Sequence, residues 1–283
     1  MIVVGKVSAI FRYPVKSMLG ESLDRASMDA RGLVGDRAFA LIDDETGKVV
    51  SAKRPKRWSR MFELQACTTD RVSVRFPSGD LIGIDDPRLP ERLQEFFGRA
   101  VSVSTSPAPG AHYDEVWVRE LKANAGPYYE RPSRFEDGDE MVNGGSSMGS
   151  DGNFFNDSPI HIITTSTLRA LGDAAPNSRF AAARFRPNFV IETSDIGFVE
   201  TAWRGRKLTI GSTIFDVTIT VPRCVMTTVA QGDLPDDPEV LRTITAHNAI
   251  DALSTGTRYP CVGVYAKVSL TGEICIGDEV RLE

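Results

Sequence analysis

The sequence predicts a mainly β protein with a few short helices, arranged as two β-barrel-like regions with a cleft between them. Three observations carry this reading. Short β-branched and aromatic runs recur between turn sequences along most of the chain. No helical crossover separates successive strands in the first part, which favours a barrel or sandwich over a parallel α/β sheet. A stretch rich in proline, glycine, serine and charge, 105–156, separates a strand-rich 1–104 from a strand-rich 157–283.

In the first part, strands are expected at 3–13, 22–29, 39–43, 62–67 and 71–76, where apolar residues partly alternate. Asp44-Glu45-Thr46-Gly47 and Pro77-Ser78-Gly79-Asp80 are turn chemistry. One helix is expected, 91–97 behind Pro90. The basic run Lys53-Arg54-Pro55-Lys56-Arg57-Trp58 reads as a solvated turn that could also draw an anionic ligand or partner. The segment 105–156 is expected to be a long, partly mobile connection, with Trp117 and Tyr128-Tyr129 packing on a surface. In the second part, strands are expected at 158–165, 189–192, 207–210, 213–221, 261–270, 273–276 and 279–282. Helices are expected at 166–171 and 238–247, the latter starting at Pro238 with Asp237 as its cap.

Size and composition narrow the function classes. The 283 residues are 41% hydrophobic and 25% charged, with a net charge of -5, which is ordinary for a globular protein. The acidic balance argues against broad nucleic-acid binding while allowing a local basic pocket. No apolar run approaches the roughly 18 residues of a membrane span, and the N-terminus is too short in apolar residues for an export signal. The expectation is a cytoplasmic protein with no membrane or nucleic-acid partner. The four cysteines lack a Cys-x-x-Cys pair and the three histidines are scattered, so no structural zinc site is expected. Cys67, Cys261 and Cys275 lie in apolar strand sequence and read as core.

The chemistry concentrates on a few segments. Cys224, in Val221-Pro222-Arg223-Cys224-Val225-Met226-Thr227-Thr228-Val229, follows a guanidinium that favours its thiolate, a soft ligand for a transition metal. A small core cysteine is the alternative. Tyr13-Pro14-Val15-Lys16-Ser17 can offer an anion a charge and a hydroxyl, or can be a plain surface loop. Gly35-Asp36-Arg37 places Arg37 at a strand mouth, either for an anion or for a local ion pair with Asp36. Arg184 and Arg186, read as extended chain, fall on one side, which is costly unless solvent or an anion meets them.

In this order and spacing, Tyr-Pro-Val-Lys-Ser, Gly-Asp-Arg, Phe-Arg-Pro-Asn and Pro-Arg-Cys-Val-Met-Thr-Thr-Val resemble the MOSC-domain proteins with an N-terminal β-barrel region. That group contains the mitochondrial amidoxime-reducing components and the carboxy-terminal part of molybdenum cofactor sulfurases. The resemblance implies a molybdenum cofactor (Mo-molybdopterin) held between the two β regions, with Cys224 as the catalytic residue and metal ligand. It implies that Lys16, Ser17 and Arg37 hold the phosphate and pterin tail. Ser158, Arg186 and Asn188 would contact the cofactor from the other side, Arg223 would neighbour the metal, and Thr227 and Thr228 would shape the pocket. The chain departs from amidoxime-reducing relatives at Val221, where they carry a cysteine. It departs again at Ala230-Gln231, where they carry Asp-Pro, and at Asp157, where close relatives carry threonine.

The implied activity is reduction of a small N-hydroxylated (N–O) compound by a molybdenum-dependent oxidoreductase. Electrons would come from a separate protein of flavoprotein, ferredoxin or cytochrome type. A molybdenum cofactor carrier, or a sulfur-transfer protein using Cys224, is the alternative. A serine hydrolase is a third reading, from Gly145-Ser146-Ser147-Met148-Gly149 with Asp216 and His247. Its elbow would need a strand before it and a helix after it, and the surrounding stretch predicts neither.

Overall fold

The computed structural model describes residues 1–108, 111, 114, 154–155, 158–254 and 256–283. The expectations for Trp117, Tyr128-Tyr129, Asp157, the 145–149 elbow and most of the connection fall outside these residues. The fold is mainly β with short helices, as the sequence predicts.

Seven strands close a barrel. Their spatial order is Ile160–Thr164, Phe189–Glu192, Ile2–Arg12, Glu279–Leu282, Lys207–Ile210, Thr213–Pro222 and Tyr259–Leu270, the last pairing back onto the first. Ile160–Thr164 and Phe189–Glu192 run parallel, and the helices Thr165–Ala174 and Ala182–Phe185 supply the crossover that parallel pairing requires. The other barrel pairings are antiparallel.

Alternation along each strand divides two cores. Ile160, Ile162, Phe189, Ile191, Phe215 and Val264 fill the barrel interior. Ile163, Val190 and Val262 face outward against Leu171, Val240, Leu241 and Ile244 of the helices. Each fully buried side chain of this size contributes about 1.5–3 kcal/mol. His161 lies between Ile160 and Ile162, so it points away from the barrel interior. It sits directly opposite Tyr265 in the ladder.

The Ile2–Arg12 strand belongs to the barrel, pairing with Phe189–Glu192 and Glu279–Leu282. The rest of the first part wraps a separate core of Trp58, Met61, Leu64, Leu89 and Leu93. Met226 and Val229 reach into that core from the second part. The turn after Cys224 is therefore anchored in one lobe while the strand before Cys224 belongs to the other.

Several expectations shift. The run at 22–29 breaks into Glu21–Leu23 and Arg25–Asp29. Phe62 ends in the short helical turn Ser59–Glu63, leaving Gln65–Thr68 as the strand. The first-part helix is Leu89–Phe97, with Leu89, Leu93 and Phe96 buried and Gly98 closing it in the left-handed region. The second helix is Glu239–His247, and the Asp237 carboxylate accepts the Glu239 N–H at 3.0 Å. The basic run is not a solvated turn. Pro55–Trp58 is helical, Arg54 pairs with Asp114 at 2.7 Å, and Arg57 pairs with Asp43 and Asp114. Cys261 is buried, whereas Cys67 and Cys275 are only half-buried.

Candidate functional site

A cavity of about 300 Å³ opens between the two lobes, within the size range of small-molecule sites. Its wall gathers Lys16, Ser17, Arg37, Ser158, Arg186, Asn188, Arg223, Cys224 and Thr227. These come from five separated stretches of sequence. Thr228 does not reach the wall. Its hydroxyl donates to the Val225 carbonyl at 2.8 Å, as the Thr227 hydroxyl donates to the Cys224 carbonyl at 3.0 Å. The two threonines thus cap the short helical turn Val225–Thr227 that begins at Cys224.

The charge of the wall is one-sided. Lys16, Arg37, Lys53, Arg184, Arg186 and Arg223 line it, and no aspartate or glutamate does among the described residues. In a chain of net charge -5, that concentration fits an anionic occupant. Arg37 is partly neutralised from behind by the fully buried Asp36, with which it forms an ion pair. Asp36 also accepts the Tyr13 N–H at 2.7 Å and an Asn188 amide N–H at 3.1 Å. Asn188 accepts the His161 N–H through its Oδ1 at 3.1 Å, so its amide braces the cavity wall. Arg186 donates to the Met18 carbonyl, and burial followed by the nearby Arg37 lowers its pKa to about 10. Both guanidinium groups lie against the Tyr13 ring, at 4.5 and 4.2 Å from its centre. Burial raises the Tyr13 phenol to about 12, against the pull of those arginines.

Arg184 and Arg186 both reach the cavity wall, but not as extended chain. Arg184 closes the helix Ala182–Phe185 and Arg186 turns left-handed after it. Arg184 donates to the carbonyls of Arg179, Thr227 and Pro235, and so pins the turn that follows Cys224. Lys16 donates to the Phe154 carbonyl at 3.1 Å, the Ser17 hydroxyl accepts the Ala52 N–H at 3.1 Å, and the Ser158 hydroxyl donates to the Ala266 carbonyl at 2.9 Å.

Cys224 is a half-buried free thiol on the cavity wall rather than a core cysteine. Beside it, Arg223 is buried and makes none of the ion pairs found among the described residues. Its side chain donates to the carbonyls of Val262 and Phe185 and to the His161 ring. Burial, chiefly, lowers its pKa.

Two signals in this site escape sequence reading. Ser17, Arg37 and Arg186 all adopt positive φ, at 64, 47 and 54°. Strained non-glycine backbone of this kind persists where surrounding structure enforces it, and it clusters at working sites. His161 and Tyr13 also belong to the wall or its support. Tyr13 stands inside a quoted motif, but only the polar members of that motif suggest anion chemistry. His161 carries no local signal.

The model of the MOSC N-terminal beta barrel domain matches residues 4–106, and that of the MOSC domain matches 145–281. Mitochondrial amidoxime reducing component 2 of Bos taurus is 27% identical, over 98% of this chain and 83% of its own length. Mitochondrial amidoxime-reducing component 1 of Mus musculus is 25% identical, over 99% and 82%. Among solved structures, the YuaD protein from Bacillus subtilis aligns over 99% of this chain and 95% of its own at 12% identity, with a TM-score of 0.45. With both domain models matched in order and spanning most of its length, the chain belongs to the MOSC-domain proteins that carry an N-terminal MOSC β-barrel domain.

Proposed function

We propose that the protein is a molybdenum-cofactor-dependent oxidoreductase that reduces small N-hydroxylated compounds with electrons from a separate protein. One observation carries this reading: a free thiol stands on the wall of a cavity whose charged side chains, among the described residues, are all cationic. The donor set fits a chelated metal. Among the described residues no group of three His, Cys, Asp or Glu could hold an ion by itself. A metal bonded to Cys224 would therefore bring most of its ligands with it, in an organic anion suited to the surrounding cations. When bound, the molybdenum cofactor supplies two-electron oxygen removal from the N–O group, and the protein supplies binding, orientation and electrostatics.

In this reading Lys16, Ser17 and Arg37 take the phosphate and pterin tail, and Arg186 adds charge from the opposite lobe. Asp36 and Asn188 hold Arg37 and the wall strand in place. Arg223 sets the field beside the thiol, and Thr227, Thr228 and Arg184 fix the turn that carries it. A division into 1–104, 105–156 and 157–283, with the Ile2–Arg12 strand lent to the barrel of the second lobe, and a cytoplasmic location, belong to the same proposal. No helix among the described residues is long and apolar enough to cross a membrane. The relatives' names place them in mitochondria, so cell fractionation decides the compartment.

The test is turnover of an amidoxime and of a hydroxylaminopurine with an artificial electron donor. Reduction of either by cofactor-loaded protein supports the proposal. Stably bound cofactor without turnover overturns the reductase in favour of a cofactor carrier. A sulfane adduct on Cys224 without bound metal assigns sulfur transfer instead.

A further inference from the structure

The least expected feature of the cavity is the contact between two basic groups, Arg223 and His161. The Val262 carbonyl accepts from Arg223 Nε at 3.0 Å and from Nη2 at 2.6 Å, and the Phe185 carbonyl accepts from Nη1 at 3.1 Å. The remaining Nη2 proton points to His161 Nε2. Four of the five guanidinium N–H groups are accounted for, none of them by a carboxylate. The same Nε2 also lies 3.3 Å from the Val262 carbonyl, but guanidinium only donates, so the shorter contact to Arg223 assigns Nε2 as the unprotonated acceptor. Burial first, and the adjacent Arg223 second, hold the imidazole well below 6.5, in agreement with that geometry.

The fold is built to seat this ring. Asn188 Oδ1 accepts the His161 backbone N–H, and Tyr265 meets the imidazole edge-on with ring centres 5.8 Å apart. Beside the ring, Gly263 adopts φ +79°, and a Cβ there would stand 2.4 Å from His161 Nε2 and 2.5 Å from the Ile162 carbonyl oxygen. The backbone has given up a side chain where the imidazole needs room.

We propose that His161 is the positioning residue of this site: by accepting an N–H of Arg223 it fixes an unneutralised guanidinium beside Cys224 and makes the thiol's surroundings selective for anions. His161 need not touch the cavity occupant. It acts through Arg223, which no carboxylate contacts among the described residues, so that its charge is turned to whatever binds. The inference rests on the proposed function only in taking Cys224 as the reacting centre.

The test uses the full-length chain from cells unable to make the cofactor. Rates of Cys224 alkylation by iodoacetate and by iodoacetamide are compared at one pH, with peptide mass spectrometry separating Cys224 from the half-buried Cys67 and Cys275. Both reagents attack the same thiolate, so their ratio reports the local field rather than the thiol's ionisation. Replacing the acceptor, His161→Leu, is expected to lower the iodoacetate-to-iodoacetamide ratio by roughly threefold to tenfold. That is the size expected when a charge a few ångström away retreats at an effective dielectric of about 20. His161→Gln, which keeps an acceptor, should stay within about twofold of wild type, and Arg223→Met sets the floor. If His161→Leu does not fold, His161→Phe takes its place. An unchanged ratio in the folded acceptor-free variant, or an equal fall in His161→Gln, overturns the proposal. Since no metal takes part, failure here leaves the reductase reading standing, and failure of the reductase reading leaves this result standing.

Discussion

Arg37 and Arg223 face the same cavity from different lobes, and their supports are opposite in kind. Arg37 rests on Asp36, a fully buried carboxylate that also ties down Tyr13 and Asn188. Arg223 rests on two carbonyls and an imidazole. A carboxylate-backed arginine keeps its place and shape but presents little net charge. A carbonyl-backed arginine costs more to bury and presents its whole charge. The two therefore divide the work, with Arg37 giving form to the anion seat and Arg223 giving field beside the thiol.

The largest expected effect comes from breaking the first support. Asp36→Ala leaves the half-buried Arg37 without its partner and the Tyr13 and Asn188 N–H groups without their acceptor, and should destabilise the protein by about 3–5 kcal/mol in urea unfolding. Arg223→Met should cost only about 1–2 kcal/mol, because relief of a buried charge offsets the carbonyls left without donors. Equal losses for the two variants would erase the distinction drawn here.

Next in size is the seat of the imidazole. Gly98 and Gly263 both have positive φ, but a Cβ at Gly98 meets nothing within 4 Å while one at Gly263 meets the His161 ring and the Ile162 carbonyl. Gly98→Ala should cost about 1–2 kcal/mol for backbone strain alone. Gly263→Ala should lose measurably more in thermal unfolding, and equal losses would mean that both the ring and the Ile162 carbonyl give way freely.

The smallest effects are in the pH dependence of stability, where two buried groups act in opposite directions. His161 titrates below 6.5 in the folded protein, so its contribution is fully present above 6.5 and is lost as pH falls below that value. Glu200, buried and bonded to the hydroxyls of Thr164 and Thr167, is raised above 4.5 chiefly by burial. Its contribution is fully present below 4.5 and is lost as pH rises through its folded value. His161→Gln should flatten the acid side of the stability profile, and Glu200→Gln should remove the decline that begins above 4.5. Unfolding midpoints measured across pH check both signs.

Much of this architecture is legible in the sequence because alternation and turn residues are local. The strands around Phe189, Lys207 and Glu279 are such cases, and so is the Glu239–His247 helix. The cationic segments and Cys224 are legible as chemistry. What escapes reading depends on distant partners. Four helical residues at Ala182–Phe185 are too few for a periodic signal, so Arg184 passes for extended chain. The left-handed turns at Ser17, Arg37 and Arg186 are imposed by tertiary contacts on residues that do not favour them. Lys53 through Trp58 looks solvated because Asp43 and Asp114, which pair its arginines, lie elsewhere in the chain. His161 is hidden for the same reason, with Arg223 62 positions away.

The central claim is that Cys224 binds a metal carried in an anionic organic chelate, and metal analysis tests it most directly. Molybdenum and pterin per chain are measured in wild type and Cys224→Ser, purified from the same cofactor-producing host. The account predicts near-stoichiometric molybdenum and pterin in wild type, and a folded variant that has lost its molybdenum. Wild-type protein that contains neither, or a variant that retains as much metal as wild type, contradicts it.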